Sequence, residues 1–185
     1  YKGEYNNGKQ VGYWESYYTN GILAYEGKYE NGLKEGFWKT YYNNGKIEKK
    51  GDYKYGRENG YWETYQPHGQ LYSRGKFKYV LTTKLGKPRG FPNKWSLKWT
   101  NTGRLHPLST FFSDRGEKIC SFKEGLWIYY TDNGNTHSVG DYKYNSKDGK
   151  WIYYYNNGTY EVVEYKEGIQ VGPGKRYKPD GTEDK

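Results

Sequence analysis

The fold is decided by the stretch Gly27-Lys-Tyr-Glu-Asn-Gly-Leu-Lys-Glu-Gly36-Phe-Trp38-Lys-Thr-Tyr41-Tyr42-Asn-Asn-Gly45, because most of the 185-residue chain repeats it. Within each half of the chain, tryptophans stand 24 residues apart, and a glycine follows each one seven positions later. These pairs are Trp14 and Gly21, Trp38 and Gly45, Trp62 and Gly69, Trp127 and Gly134, and Trp151 and Gly158. A fixed period of this length indicates repeated supersecondary units.

Each repeat is predicted to contain two strands and two turns. The strand signal is the density of aromatic residues around each tryptophan, as in Tyr13 to Tyr18. The turn signal is Asn-Gly, which tolerates positive φ. The many glycines recur with the turn period and are explained by it, although Gly27 and Gly51 are placed on the returning strands. The predicted fold is therefore all-β, an antiparallel meander of β-hairpin repeats in a single layer or a shallow roll, interrupted near its middle.

Alternation along each strand predicts two different faces. Trp14 and its copies point to one face, which we expect to be the packed one. The other face carries a second aromatic ladder, made of Tyr17, Tyr41, Tyr65, Trp99, Tyr130 and Tyr154. Two interpretations of this ladder remain open: cross-strand ring packing, or a surface on which a ligand stacks, for which the candidates are Tyr17, Tyr41, Tyr65, Tyr130 and Tyr154.

The composition argues against an ordinary globule and against an enzyme. Hydrophobic residues make up 33% of the chain and the mean hydropathy is −1.26, whereas aromatic residues reach 21%. Burial must therefore come mainly from rings. Three histidines and one cysteine offer little for catalysis, and the spacings typical of metal or phosphate sites are absent. We expect no catalytic residues, no metal and no cofactor, and no apolar run is long enough to span a bilayer.

The periodicity divides the chain into three parts. Residues 1–78 form three repeats, residues 79–121 a degenerate repeat with an insert and an irregular connection, and residues 122–185 further repeats and a terminal cap. From Lys76 to Arg104 there are eight basic residues and no acidic one, within a chain of net charge +9. Insertions into repeats often bind. The predicted partner-binding residues are Lys84, Lys87, Arg89, Lys94, Trp95, Lys98, Trp99 and Arg104.

The chemistry of this basic insert fits several partners. Cations interleaved with aromatic rings suit an acidic protein, single-stranded nucleic acid or anionic lipid headgroups. The plainer interpretation, a solvated loop that is basic for solubility, stays open as well.

The runs Gly3-Glu-Tyr-Asn-Asn-Gly-Lys-Gln-Val-Gly12 and Gly27 to Gly36 resemble MORN repeats. Together with Phe37 to Gly45, they are similar to the bacterial MORN-variant type, the antitoxin-like YwqK repeats. The likeness covers residues 1–77 and 122–168 well and the middle poorly. It implies a scaffold for protein or lipid contact rather than a catalyst, and the antitoxin label does not itself identify a partner.

A second likeness is carried by Asp148-Gly-Lys-Trp151-Ile-Tyr-Tyr-Tyr-Asn-Asn-Gly158, which resembles choline-binding and related cell-wall repeats. Those repeats imply paired aromatic rings that hold a glycan or a quaternary ammonium. They are shorter than the repeats of this chain and place their Gly-Trp step differently, so this likeness ranks second.

The sequence thus favours a non-catalytic protein-interaction scaffold or accessory subunit that binds an acidic or anionic partner, with an antitoxin or immunity protein as a special case. The alternative is a cell-surface glycan or cell-wall binding module that uses the tyrosine ladder. The chain starts inside a repeat and contains no Met. This start fits a processed or truncated protein and favours a secreted or cell-surface location over a cytoplasmic one.

Overall fold

The computed structural model describes the backbone of residues 1–82, 111–112 and 118–184, and the side chains of residues 1–80 and 121–184. This part of the chain is all-β, without helices, and forms one 14-stranded antiparallel sheet. The strands are β1 Lys2–Asn6, β2 Lys9–Tyr17, β3 Leu23–Glu30, β4 Leu33–Tyr41, β5 Ile47–Lys54, β6 Arg57–Tyr65, β7 Leu71–Thr82, β8 Phe111–Phe112, β9 Lys118–Tyr130, β10 Thr136–Lys143, β11 Ser146–Tyr154, β12 Tyr160–Lys166, β13 Ile169–Gln170 and β14 Lys175–Tyr177.

The insert interrupts the chain but not the sheet. Strands β1 to β7 and β9 to β13 follow one another across the sheet in chain order, and β7 pairs directly with β9. Both of these strands are long, and their paired ends include Val80 opposite Cys120 and Thr82 opposite Lys118. The short strand β8 pairs with β9 at Ile119 and Lys118. The segment between β7 and β9 therefore starts from the end of an extended two-stranded arm.

Tight turns join the strands at one edge of the sheet. The first two are Asn7-Gly8 and Asn31-Gly32, in which the asparagines have φ of 48° and 51° and the glycines also have positive φ. Positive φ at both central residues is the requirement of a type I′ hairpin turn. Tyr55-Gly56 makes the same turn with φ of 50° at the tyrosine. The meander predicted from the sequence is confirmed, including the Asn-Gly turns that start it.

Buried tryptophans form the core, and each one lies against a glycine of the preceding strand. Trp14, Trp38, Trp62, Trp127 and Trp151 are at most 2% exposed. A Cβ built on the facing glycine would stand between 2.2 and 2.4 Å from the indole Cδ2 in every case. These glycines are Gly3, Gly27, Gly51, Gly75 and Gly140. Gly27 and Gly51 lie on returning strands as predicted. The explanation of the glycines by the turn period is nevertheless incomplete, because all five lie in strands and make room for an indole.

Tyrosine and phenylalanine rings complete this core. Each indole meets a ring of the preceding strand edge to face, as Trp38 meets Tyr29 at 4.9 Å and Trp62 meets Tyr53 at 5.0 Å between centroids. Trp127 meets Phe77 in the same way at 5.1 Å. Edge-to-face pairs add about 0.5–1.5 kcal/mol each beyond the area they bury. We call the side of the sheet that carries the five tryptophans the Trp face.

Candidate functional site

Three lysines of the Trp face are held inside boxes of aromatic rings. The Lys34 ammonium lies 4.3 Å from the Trp38 ring, 5.4 Å from Tyr25 and 5.0 Å from Tyr53. The Lys123 ammonium lies in the same way among the rings of Trp127, Tyr129 and Tyr142. The Lys147 ammonium lies among the rings of Trp151, Tyr153 and Tyr165.

In these boxes a lysine ammonium lies over aromatic rings and is partly removed from water. Burial lowers the pKa of Lys34, and the nearby charge of Lys49 lowers it further. Burial also lowers the pKa of Lys123. A desolvated cation over a ring is held by about 2 kcal/mol or more. An external quaternary ammonium would have to displace the lysine of the chain itself, so these three boxes are best understood as parts of the fold.

The face opposite the Trp face carries one row of side chains that crosses the whole sheet. Its members occupy directly paired positions on successive strands from β2 to β12. In order they are Glu15, Glu26, Lys39, Lys50, Glu63, Arg74, Ile128, Val139, Ile152 and Val162. The row is charged up to β7 and aliphatic from β9 onward, so it changes character at the two strands that the basic insert connects.

The charged half of this row is internally paired. The Lys39 ammonium lies 3.1 Å from a Glu26 carboxylate oxygen, and the Lys50 ammonium lies 2.9 Å from one of Glu63. Lys39 and Lys50 face each other across two paired strands, where like charges repel. Glu26 balances the charge of Lys39, and Glu63 balances that of Lys50.

The aliphatic half has no such pairing and is partly exposed. Ile128, Val139, Ile152 and Val162, which we call the aliphatic row, stand on four adjacent strands and so extend about 14 Å at the usual strand spacing. Leu126 lies beside this row on β9 and is 55% exposed. Contiguous exposed apolar surface commonly marks an interaction site.

The sequence analysis predicted no site at the aliphatic row, although half of the row can be read from the sequence. The isoleucines that follow Trp127 and Trp151 replace charged residues of the first half and are visible in the sequence. That Val139 and Val162 join them depends on the register of β10 and β12, and the ladder of β10 shifts between Gly140 and Asp141. The sequence signal for these two residues is a valine directly before the position that Gly51 and Gly75 occupy in the earlier repeats. Those earlier repeats have Lys50 and Arg74 at the place of the valine.

The predicted tyrosine ladder lies on this same opposite face, and four of its members are engaged by neighbouring side chains. Tyr17 donates a hydrogen bond to Glu15, Tyr41 to Glu26 at 2.6 Å, and Tyr65 to Glu63 at 2.7 Å. The Arg74 guanidinium lies 5.8 Å from the Tyr130 ring. Tyr154 is 40% exposed and tilts against Tyr160. The described members of the ladder therefore lie on the expected face, with ring or carboxylate contacts at each of them, and Trp99 lies outside the described residues.

The predicted partner-binding residues of the insert fall outside the described residues. They are Lys84, Lys87, Arg89, Lys94, Trp95, Lys98, Trp99 and Arg104. Their role stays a prediction. What the structure adds is the location of the two ends of the segment, Thr82 on β7 and Lys118 on β9. These ends lie about 25–30 Å along the strands from Ile128 of the aliphatic row.

Glu26 is the centre of a small hydrogen-bond network on the opposite face. Hydrogen bonds from Tyr13 and then Tyr41 hold its pKa below the ordinary value, and Lys39 lowers it further. The same contact with Glu26 raises the pKa of Tyr13 to about 12. A carboxyl group whose pKa is depressed by folding stabilises the fold above its unfolded pKa, and that contribution is lost as the pH falls through the folded pKa.

We therefore expect Glu26→Gln to lower the urea midpoint at pH 7 and to lose this effect in acid. The difference in urea midpoint between the variant and the wild type should reach its full size above the unfolded pKa of about 4.3. It should shrink as the pH approaches about 3. Urea midpoints measured across this range give the test. Glu164→Gln, which changes an exposed carboxyl group on β12, is the control and should leave the pH profile nearly unchanged. A Glu26→Gln difference that is constant with pH would contradict the linkage.

The described residues offer neither a metal site nor a membrane-spanning helix. No group of three or more His, Cys, Asp or Glu side chains there could hold a metal ion. That part of the chain also has no helix of the length and apolarity that crossing a membrane requires.

Comparison with known proteins gives no family for this chain. No protein-family model matches the sequence. No curated protein matches it either.

Proposed function

We propose that the protein is a non-catalytic interaction scaffold that holds a protein partner against the opposite face of its sheet. The observation that carries this proposal is the change of the cross-sheet row from charged to aliphatic at the strands that the basic insert connects. A partner with a short apolar strip and a group of carboxylates about 25–30 Å from it would match both features. Apolar contact would supply affinity, and the cations of the insert would speed association and fix orientation.

The repeats support the same class of function. A single-layer sheet whose aromatic boxes are filled by its own lysines offers surfaces rather than an enclosed reaction site. The resemblance to antitoxin-like MORN-variant repeats also implies contact with a partner. A toxin bound by its immunity protein is a special case of this proposal, and an anionic lipid or nucleic acid remains the alternative use of the insert.

A pull-down from the native source, read by mass spectrometry, tests the proposal. Ile128→Thr/Ile152→Thr keeps β-branched residues in the strands but removes apolar contact from the aliphatic row. Lys84→Glu/Lys87→Glu/Arg89→Glu reverses the charge of the insert. We expect each variant to lose a specific acidic protein that the wild type retains, by tenfold or more, with a nearly unchanged thermal transition.

Lys28→Glu, an exposed charge reversal on β3 far along the sheet, is the matched control and should retain the partner. A partner that is lost only with the insert variant would show that the sheet face does not take part. If both variants retain every protein captured by the wild type, the scaffold proposal is wrong at this surface.

A further inference from the structure

A groove opens between the fourth and fifth of six longer turns at one edge of the sheet. In each turn a backbone N–H donates to the carbonyl four residues later, as Tyr18 does to Ile22 and Thr131 to Asn135, both at 2.8 Å. The turns span residues 18–22, 42–46, 66–70, 131–135, 155–159 and 178–182. We call this side of the sheet the turn edge.

Side chains tie the first three of these turns together. The Tyr18 hydroxyl donates to the Tyr41 carbonyl at 2.6 Å, and the Tyr42 hydroxyl donates to the Tyr65 carbonyl at 2.7 Å. The side-chain amide of Asn20 donates to the Asn43 carbonyl at 3.0 Å, and that of Asn44 to the Pro67 carbonyl at 2.7 Å. The space between these turns is thus closed by a tyrosine and an asparagine from each unit.

The third and fourth turns donate neither tie. The third turn has Gln66 and His68 in place of the tyrosine and the asparagine. In the fourth turn, Thr131 stands where the first two have Tyr18 and Tyr42, and its hydroxyl donates to the Asn135 carbonyl of its own turn, at 3.2 Å. Asn133 takes the place of Asn20 and Asn44, but its side chain makes no hydrogen bond to any residue that the structure describes. A groove of about 590 Å³ lies between the fourth turn and the fifth.

The lining of this groove has a specific chemistry. It consists of two threonines, three asparagines, two tyrosines and a glycine, and it includes no carboxylate or ammonium group. Hydroxyl and amide groups each offer both donors and acceptors. Tyr154 presents a ring that is 40% exposed. Tyr155 is held in place by a 2.7 Å hydrogen bond to Glu161 and by the Arg176 guanidinium 5.1 Å from its ring.

We infer that this groove binds a neutral saccharide. A charged ligand would find no opposite charge among the lining residues, and an apolar ligand would leave the asparagine amides without partners. A pyranose offers what the lining requires, because its hydroxyls pair with Asn133, Asn135 and Thr136 while its C–H face lies on a tyrosine ring. The volume lies in the range of small-molecule sites.

This inference is independent of the scaffold proposed above. The groove shares no residue with the aliphatic row or the insert, so either proposal can fail alone. It also restricts the glycan-binding interpretation of the tyrosine ladder to Tyr154, because Tyr154 is the ladder member that lines the groove.

Titration of ¹⁵N-labelled protein with neutral disaccharides tests the inference. The probes are cellobiose, lactose, mannobiose and N,N′-diacetylchitobiose, and the readout is the side-chain amide signals of Asn133, Asn135 and Asn156. At least one probe is expected to shift these signals in a saturable way. If none of the four does so, the inference is wrong.

Thr131→Tyr restores the residue that closes the earlier units and is expected to weaken saccharide binding at least tenfold while keeping or raising the melting temperature. Gln66→Tyr puts the same side chain at the same turn position one unit earlier and should leave binding intact. Shifts that persist unchanged in Thr131→Tyr would also overturn the inference, because the sugar would then bind elsewhere.

Discussion

Gly51→Ala is expected to destabilise the protein by about 3 kcal/mol, the upper part of the usual range for overpacking a core. Gly51 is buried in β5, where it is paired with Trp38 on one side and Trp62 on the other. A Cβ at this position would stand 2.3 Å from Cδ2 and 2.5 Å from Cε2 of Trp62. Because both carbons belong to a rigid, buried indole, neither can move aside without opening the strand pair.

Urea unfolding followed by circular dichroism measures this loss. The control is a double-mutant cycle with Trp62→Leu, whose smaller side chain leaves room for the added methyl group. In the Trp62→Leu protein, Gly51→Ala should lower the free energy of unfolding by less than about 1 kcal/mol. An equal cost in both backgrounds would show that the contact with the indole is not the cause.

The same contact explains where the array of tryptophans ends. Val163 occupies the position on β12 that Gly140 occupies on β10, directly opposite Trp151. Its side chain takes up the place that a further indole would need. β13 and β14 then divide the free edge of β12 between them, with Val171 donating to the Glu164 carbonyl at the junction. A valine at the glycine position, in a return that is one residue shorter than that of the preceding unit, therefore marks the change from a repeating unit to a cap.

The fold was predictable from the sequence because its signals are local. The 24-residue period, the Asn-Gly turns and the alternation around each tryptophan identify the hairpins and the two faces. The packing role of Gly27 and Gly51 was not predictable, since a glycine that faces an indole and a glycine in a turn follow the same period. The tertiary register decides between them.

The candidate site was predictable only in part, for a similar reason. The pairing of β7 with β9 joins residues on either side of a long insert, and no local pattern indicates that the sheet continues. The aliphatic row combines Ile128 and Ile152 with two valines whose alignment depends on strand register. The groove at Thr131 lies where the first two turns have a tyrosine. That difference gains a meaning only from the hydrogen bonds that Tyr18 and Tyr42 make to the neighbouring units.

Trp127→Ala is expected to cost about 3–5 kcal/mol, as for other buried tryptophans, and to uncouple the two halves of the sheet. The indole lies on Gly75 of β7, contacts Phe77 edge to face, and donates a hydrogen bond from Nε1 to the Lys76 carbonyl at 3.3 Å. It is the buried indole among the side chains that join β9 to the first three repeats, which also include Tyr129 against Tyr72 and Tyr130 against Arg74. In a linear array, stability depends on such interfaces between neighbouring units.

Hydrogen exchange read by mass spectrometry distinguishes this effect from general destabilisation. In Trp127→Ala, protection should fall throughout residues 118–184 and remain closer to the wild type in residues 1–80. Trp151→Ala is the matched control: it removes an equally buried indole one unit further on and should affect mainly β11 and β12. A uniform loss of protection in Trp127→Ala would mean that the halves are coupled by the backbone pairing of residues 78–82 with 118–122, and that the indole adds stability without setting the boundary.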